Sequence, residues 1–257
     1  MQIFYKMKHG TEYLNYGRDI ITGYCRRCRE RSVTEEGNPF KILDLGAGHG
    51  TDLINCRENI VGGGKNSVEL WALESYPPNV TLLRQQGIKV RQFNIERERF
   101  PFENESIDFV IMNQILEHTK EIFWIFSEIS RILKKGGGCI VGVPNLASLH
   151  NRIALLFGNQ PTSVRALGPH VRGFTKKDFI DFVETDGYFK VECFAGSNFY
   201  PFPPKVSHVL ASLFPSQAVS IFWGIRRTEK GDCFIKVLDS RFYETPYYRG
   251  SDERYER

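Results

Sequence analysis

The chain has 257 residues, of which 41% are hydrophobic and 25% are charged, an ordinary balance for a globular protein. Its formal net charge of +4 is too small to indicate nucleic-acid binding by itself. No apolar run approaches the ~20 residues that a membrane span needs, so we expect neither a membrane span nor a nucleic-acid partner.

Predicted strands and helices alternate through the first part of the chain. Residues 11–31 are predicted to form a helix, and the apolar run "FKILDL" (40–45) predicts a strand buried on both faces. Four more strands are predicted at 67–75, 88–95, 106–113 and 138–145, with helices at 49–60, 79–87 and 120–137. This alternation predicts an α/β fold with a doubly wound, Rossmann-like, mostly parallel sheet that carries helices on both faces.

The alternation is less regular beyond residue 145. Helices at 146–158 and 175–187 and strands at 188–196 and 218–228 complete a predicted seven-stranded sheet. Thr175 is expected to cap the second of these helices. Residues 197–217 are predicted to form an aromatic, proline-rich excursion, and the polar C-terminal tail is expected to be frayed or only weakly docked.

The cysteine pattern argues against a zinc site. The six cysteines include one Cys-x-x-Cys pair, Cys25 and Cys28, and no second pair completes a zinc site. The start of the chain also lacks the apolar segment of a signal peptide. We therefore expect reduced thiols in a cytoplasmic protein.

A glycine-rich turn follows the first strand in "KILDLGAGHG" (41–50). Its spacing, Gly46 and Gly48 followed by Gly50, departs from the dinucleotide fingerprint because Thr51 occupies the position of the third glycine. Asp44 precedes the turn, and its carboxylate would repel a pyrophosphate but attract a cation. The turn therefore favours a ligand with positive charge and no phosphate, such as S-adenosylmethionine; a carboxylate that only caps the helix is the alternative.

A second acidic residue stands where the ribose of a nucleoside would lie. Glu74 ends the second predicted strand, 24 residues after Gly50, close to the ~20 residues expected for a ribose-binding acid. A carboxylate at this position can accept hydrogen bonds from both ribose hydroxyls. A solvated glutamate at a strand end is the alternative interpretation.

Together these motifs resemble the class I S-adenosylmethionine-dependent methyltransferases, in particular the broad group that includes the quinone-biosynthesis enzymes. The matching stretches, in the order of that family, are "ILDLGAGHG", "ALES", "FNIERERFPFENESIDFVIMNQILEHT" and "SEISRILKKGGGCIVGVPN". The resemblance covers about 100 residues, from 41 to 145. It implies that S-adenosylmethionine is bound and that S-adenosylhomocysteine is the product. It also implies that the methyl group passes to O or N of a small metabolite, either a sugar or polysaccharide precursor or a quinone-like compound.

The resemblance also assigns site residues by position. It implies that the methionine end of the cofactor contacts the first strand, the glycine turn and the end of the fourth strand, through Asp44, Gly46, Ala47, Gly48, Asn113 and Gln114. It implies that the ribose contacts Glu74 and Ser75 at the end of the second strand. Adenine is implied to contact Asn94 and Ile95, after the third strand. Asn94 replaces the acid that the family usually has there.

"QILEHT" raises the question of a metal and of a base. Some quinone O-methyltransferases carry E-x-x-E-H at this point, and those side chains can hold a divalent cation. Here Gln114 replaces the first acid, so no metal is expected, although Glu117 and His118 remain. His118 and His170 are candidates for a catalytic base or an acceptor-orienting group, with a structural role as the alternative for each.

One domain is expected from this organisation, with four parts: an N-terminal helical cap (1–37), a cofactor-binding core (38–145), lid segments with the last strands (146–230) and a C-terminal tail (231–257). The lids are expected at 146–173 and 197–217. We expect a monomer or a homodimer. Two other functions stay open: a nicotinamide-dependent oxidoreductase, which Asp44 and Thr51 argue against, and a non-catalytic member that keeps the cofactor pocket. An RNA methyltransferase would need an RNA-binding module that the sequence does not show.

Overall fold

Seven strands form one sheet in the order β3-β2-β1-β4-β5-β7-β6. The computed structural model describes residues 17–32, 38–60 and 68–250. The strands are β1 (Phe40–Leu45), β2 (Val68–Glu74), β3 (Lys89–Gln92), β4 (Ile107–Asn113), β5 (Leu133–Pro144), β6 (Phe189–Ser197) and β7 (Ser220–Arg227). All pairings from β3 to β5 are parallel, and β7 pairs antiparallel with both β5 and β6. The predicted seven-stranded, mostly parallel sheet is confirmed.

Helices cover both faces of the sheet. They are α1 (Arg18–Arg31), α2 (Thr51–Asn59), α3 (Pro77–Gln85), α4 (Ile122–Ile132), α5 (Leu149–Leu156), α6 (Lys176–Val183) and α7 (Pro204–Leu213). One core lies under α1, α2 and α3 and contains Tyr24, Leu53 and Leu83. The other lies under α4 and α6 and contains Phe126 and Phe179. None of the helices in the described ranges has the length and apolar character needed to cross a membrane.

The centre of the sheet is apolar because its strands are buried on both sides. β4 is buried from Ile107 to Met112 and pairs with β1 on one side and β5 on the other. Such strands read as continuous apolar runs, which is why the sequence predicts them well. The carboxyl ends of β1 and β4 meet where the chain passes to opposite halves of the sheet, the place at which ligands of open α/β sheets bind.

Two local predictions are wrong. The helix expected at 120–137 ends at Ile132, because Leu133 already pairs with Ile107 as the start of β5. The excursion at 197–217 contains the ten-residue helix α7, which the sequence did not predict. It starts at Pro204, a position at which the backbone N–H that proline lacks would have no partner within the helix. The cap on α6 is as predicted, since the side chain of Thr175 accepts a hydrogen bond from the Asp178 N–H.

The second wrong prediction concerns the C-terminal tail up to residue 250, which packs on α4. The rings of Tyr243 and Tyr247 contact Phe123, with centroids 6.0 and 4.8 Å away. The backbone N–H of Tyr248 donates to a carboxylate oxygen of Glu121 at 2.7 Å. Aromatic burial and these bonds fix a segment that has no regular secondary structure. Residues 11–16 of the predicted first helix lie outside the described residues.

Candidate functional site

The turn between β1 and α2 forms the floor of the candidate site. Gly46 and Gly48 have φ values of 71° and 53°, in the left-handed region that favours glycine. The N–H of Gly46 donates to the carbonyl of Leu73 on β2 at 2.8 Å, which fixes the turn against the sheet. A Cβ on Gly46 would lie 2.6 Å from Cδ1 of Ile115, whereas a Cβ on Gly48 would meet open space. The turn thus closes against Ile115 at Gly46 and leaves room above Gly48.

Buried carboxylates surround this turn. Asp44, at the end of β1, is 3% exposed. Burial raises the pKa of Asp44 well above its usual range, and the nearby carboxylates of Asp52 and Glu74 raise it further. Burial also raises the pKa of Asp52, against the opposing effects of Asn113 and Arg18. A bound cation would therefore be stabilised by these clustered, buried carboxylates.

Asp52 connects three elements at the mouth of the site. Its Oδ2 accepts a hydrogen bond from Nδ2 of Asn113 at the end of β4, at 2.8 Å. Its Oδ1 lies 3.8 Å from Nε of Arg18 at the start of α1. Asp52 itself stands in the first turn of α2, whose N-terminus has no side-chain cap. Unsatisfied N–H groups at this helix end can bind an anionic group such as a carboxylate.

Glu74 is fixed by two backbone groups. Its Oε2 accepts a hydrogen bond from the N–H of Gly48 at 2.8 Å, and its Oε1 accepts one from the N–H of Tyr76 at 2.9 Å. The side chain is buried, and each oxygen keeps a second lone pair for a further donor. Glu74 therefore joins β2 to the glycine turn while it stays able to accept ligand hydroxyls.

A cavity of about 360 Å³ opens over the turn. It brings together six of the residues that the sequence assigns to cofactor binding: Asp44, Gly46, Ala47, Gly48, Asn113 and Gln114. Nε2 of Gln114 is buried and has no hydrogen-bond partner among the described residues, so it is available to a ligand acceptor. Five further lining residues were not predicted: Arg18, His49, Thr51, Asp52 and Asn79. The position of Asp52 in the first helical turn after the glycines was a signal that the sequence offered.

The other assigned residues lie beside this cavity and do not line it. Glu74 and Ser75 follow at the end of β2, with Ser75 exposed. The side chain of Asn94 accepts a hydrogen bond from the N–H of Glu96 at 3.0 Å within its own loop. Ile95 is buried in the core. The ribose and adenine assignments therefore stay predictions.

The two candidate histidines contact each other. The rings of His118 and His170 are 4.7 Å apart between centroids, in an edge-to-face arrangement. A ring N–H of His170 donates from Nδ1 to the carbonyl of Ser163 at 2.8 Å. Burial lowers the pKa of His118, and the neighbouring His170 lowers it further. Neither ring lines the cavity over the glycine turn.

Glu117 lies beside these histidines. Its side chain is 2% exposed, and Oε2 is buried without a hydrogen-bond partner among the described residues. Burial raises the pKa of Glu117 to about 7. The ligand atoms of Glu117, His118 and His170 lie within 4.8 Å of one another. The expectation that the chain binds no metal stays a prediction. This cluster is the place at which to test it.

A larger cavity, of about 550 Å³, lies on the other side of the start of α1. Its walls come from Gly17, Asp19 and Ile20, from the end of β6 and the segment after it, and from α7. Arg18, between Gly17 and Asp19, lines the cavity over the glycine turn instead. The two cavities are therefore separated by the first residues of one helix.

Part of this chain is similar to known methyltransferases. Residues 43–141 match the methyltransferase domain family. A curated protein of Mycolicibacterium smegmatis, described as a probable S-adenosylmethionine-dependent methyltransferase, is 27% identical over 164 residues, 63% of this chain and 53% of that protein. The chain thus spans about half the length of this relative. The match to the methyltransferase domain family over residues 43–141 confirms the resemblance to class I methyltransferases for that part of the chain.

Solved structures support the same fold. A SAM-dependent methyltransferase from Archaeoglobus fulgidus matches 82% of this chain and 94% of its own, with a TM-score of 0.53 and 15% identity. The [4+2]-cyclase SpnF matches 80% of this chain and 81% of its own, with a TM-score of 0.54 and 14% identity. At these identities the matches show a shared class I methyltransferase fold, and the fold alone does not specify the reaction.

Proposed function

We propose that this protein binds S-adenosylmethionine over the Gly46–Gly48 turn and transfers its methyl group to an oxygen or nitrogen of a small molecule. The observation that carries the proposal is the buried Asp44 carboxylate at the floor of the cavity, with Asp52 and Glu74 beside it. The cofactor offers an ammonium and a sulfonium and no phosphate, which suits this excess of carboxylates. The match to the methyltransferase domain family and the description of the M. smegmatis relative support the same assignment.

The residues present fit this cofactor. Asp44 would hold the cationic end, and the uncapped N-terminus of α2 and the buried Nε2 of Gln114 would serve the methionine carboxylate. Glu74 would accept the ribose hydroxyls, and Asn94 with the backbone of Ile95 would contact adenine. When bound, the cofactor supplies an electrophilic methyl group on a good leaving group. The protein's own tasks are then alignment of the acceptor and exclusion of water.

The transfer itself needs little from side chains. Held by Asp44, Gln114 and the N-terminus of α2, the cofactor would supply its methyl group to a lone pair of the acceptor and leave as the thioether S-adenosylhomocysteine. The acceptor's proton would pass to solvent or to a base, and a base is needed only when the acceptor must lose a proton to react, as an alcohol must. His118 and His170 are our candidates for that role. Replacing either with Gln is expected to lower kcat by on the order of 10²-fold or more at unchanged S-adenosylhomocysteine affinity.

The parts of the chain have distinct roles in this proposal. The chain acts as one domain, in which α1 caps the cofactor cavity and residues 146–173 and 197–217 cover the acceptor. Arg18 supports the role of α1, since it lines the cofactor cavity together with Asp44. The cytoplasmic location and the monomeric or homodimeric state stay predictions.

The principal competing function is a nicotinamide-dependent oxidoreductase. Its dinucleotide would place a pyrophosphate beside buried carboxylates, which is unfavourable by about 1–4 kcal/mol for each pair of charges at 4 Å. Calorimetric titration with S-adenosylhomocysteine, NAD and ATP distinguishes the two functions. We expect saturable binding of S-adenosylhomocysteine and at least about tenfold weaker binding of the others. Tight NAD binding without S-adenosylhomocysteine binding would refute the proposal.

A further inference from the structure

Exposed apolar side chains are concentrated in the two segments proposed as lids, 146–173 and 197–217. Among the described residues, fourteen large apolar side chains are exposed, and twelve of them lie in these two segments. Single exposed apolar residues are normal on a protein surface, but a concentration of this kind marks a surface that contacts another body. The lid segments therefore carry an interaction surface.

The end of α5 provides part of this surface. Ile153, Leu155, Leu156 and Phe157 are all exposed, Leu156 at 83% and Phe157 at 78%. Positions 153, 156 and 157 are three and four residues apart, so they share one face at the end of the helix. The run from 153 to 157 contains no polar residue. This face has apolar groups in water that a second surface would bury.

The helix α7 is apolar on two faces. On its inner face, Ala211 is buried and packs in a small apolar cluster. On its outer face, Val206, Val209 and Leu213 follow one another at helical spacing and are 44%, 55% and 66% exposed. A helix that is apolar all round is normally buried. The outer face of α7 is therefore suited to contact with an apolar phase.

Both lid segments leave the sheet at the edge that holds the cofactor cavity. Pro144, at the end of β5, pairs with Ser220, at the start of β7, and Ser220 also pairs with Ser197, at the end of β6. The cofactor cavity lies at the same edge, at the carboxyl ends of β1 and β4. Leu149 and Leu210 pack against one apolar cluster, so α5 and α7 are neighbours.

The charged residues of the lid segments are all basic. They are Arg152, Arg165, Arg172 and Lys205, and neither segment contains Asp or Glu. Arg152, Arg165 and Lys205 are exposed, and none of them forms an ion pair within the described part of the chain. The surface thus combines apolar side chains with positive charge, which complements an anionic partner that has an apolar interior.

We propose that the lid segments dock on the surface of an anionic lipid bilayer. The exposed apolar side chains of α5 and α7 enter the boundary between headgroups and acyl chains, and Arg152, Arg165 and Lys205 contact the lipid phosphates. Apolar helix faces accompanied by basic residues bind membranes in this way, without spanning them. Docking brings the carboxyl edge of the sheet, and with it the cofactor cavity, close to the bilayer.

A bilayer fits this surface better than a second copy of the chain. A two-fold dimer places the same patch on both sides of the interface, so its basic residues would face one another without acidic partners. A bilayer is also fluid and adapts to side chains that project from separate segments. Leu167, in the loop after α5, projects in this way and is fully exposed.

Vesicle flotation with the full chain tests the proposal. Mixed phosphatidylcholine–phosphatidylglycerol vesicles should bind the protein at least about tenfold more tightly than pure phosphatidylcholine vesicles, because each basic residue at an anionic surface adds attraction. Raised salt should reduce this preference through screening. Absence of binding to the mixed vesicles would point to a protein as the occupant and overturn the proposal, and equal binding to both kinds of vesicle would also overturn it.

Matched variants test the location. The double variant Leu156→Ala, Phe157→Ala should weaken binding to the mixed vesicles by about fivefold or more, and Phe242→Ala, exposed at 91% in the tail, by less than about twofold. Arg165→Gln should weaken binding by about threefold, and Arg99→Gln, exposed outside the lids, by less than about twofold. Equal losses within either pair would place the contact elsewhere and overturn the proposal.

Two further measurements separate this inference from the other possibilities. Light scattering without vesicles tests the second copy: a dimer that the double variant of Leu156 and Phe157 converts to a monomer would assign the surface to self-association and overturn the membrane proposal. In solution, S-adenosylhomocysteine should bind the parent and Arg165→Gln equally well, because Arg165 lies outside the cofactor cavity. Failure to bind the parent would count against the proposed function alone.

Discussion

The backbone N–H of Gly48 donates a hydrogen bond to Oε2 of Glu74 at 2.8 Å, so the turn after β1 is fixed to the end of β2. One carboxylate thus both shapes the glycine turn and faces the position proposed for the ribose. Any change at Glu74 should affect the ligand site and the local fold together.

Glu74→Gln should weaken S-adenosylhomocysteine binding by about 1–3 kcal/mol, because a charge-assisted acceptor is lost from both Gly48 and the ribose. Titration calorimetry measures the affinity, and thermal unfolding should show a lower Tm. Glu58→Gln, on the exposed surface of α2, is the control and should change neither. An unchanged affinity would mean that the ribose does not contact Glu74.

Asp44→Asn should raise the stability of the protein and weaken its binding of the cofactor. Burial raises the pKa of Asp44, so its ionised form destabilises the ligand-free protein as pH rises above the ordinary carboxyl range, and the neutral amide should raise Tm at pH 7. The same substitution should weaken S-adenosylmethionine binding by about 1–3 kcal/mol, since the cation loses its counter-charge.

Asp181→Asn, at an exposed position of α6, serves as the control for this pair of measurements. A variant of Asp44 that is more stable and still binds S-adenosylmethionine with full affinity would remove Asp44 from the cofactor site.

Gly46→Ala should mainly lower the stability of the protein, and Gly48→Ala should mainly lower its affinity for the ligand. Both place a side chain at positive φ, at a cost of about 1–2 kcal/mol. Only the Cβ at Gly46 also meets Ile115, at 2.6 Å, so Gly46→Ala should lower the free energy of unfolding more than Gly48→Ala does. Gly48→Ala should instead lose ligand affinity, because its Cβ enters the cavity. Denaturant unfolding and calorimetry check the two effects, and equal loss of stability would contradict the packing at Ile115.

Glu117→Gln should reduce the loss of folding stability that occurs as pH rises. The pKa of Glu117 is raised from 4.5 to about 7 by burial, so the contribution of this residue to stability is complete below pH 4.5 and is lost as pH rises to about 7. At pH 8 the variant should be more stable by on the order of 3 kcal/mol, and at pH 4.5 the two proteins should be nearly equal.

His118 and His170 face this carboxyl group, and both are kept intact in the experiment. Glu103→Gln, at an exposed position, should show no such pH-dependent difference. A constant difference between Glu117→Gln and the parent at all pH values would mean that Glu117 does not titrate as its burial implies.

The sequence predicts the parallel part of the sheet and the floor of the site because both depend on local patterns. β1 and β4 are mostly apolar runs. The residues at and after their carboxyl ends, from Asp44 to Gly48 and from Asn113 to Gln114, meet at one edge of the sheet by topology alone.

Other features depend on long-range contacts that local patterns do not reveal. Arg18 reaches the site only because α1 packs beside β4 and β5, and Tyr248 is ordered by Glu121, 127 residues earlier in the chain. The helix at 204–213 was not predicted, because prolines at 201, 203 and 204 interrupt the local pattern before and at its start. The contact between His118 and His170 likewise arises from a distant loop, in which the backbone N–H of Val171 donates to the carbonyl of Glu117 at 2.9 Å.

The central claim is that the cavity over the Gly46–Gly48 turn is the cofactor site, and a crystal structure of the complex with S-adenosylhomocysteine tests it most directly. We predict electron density in the cavity lined by Asp44, Asn113 and Gln114, with the ribose hydroxyls at Glu74 and the cavity beside α7 still open. Density for S-adenosylhomocysteine in the cavity beside α7, with none over the glycine turn, would contradict the account.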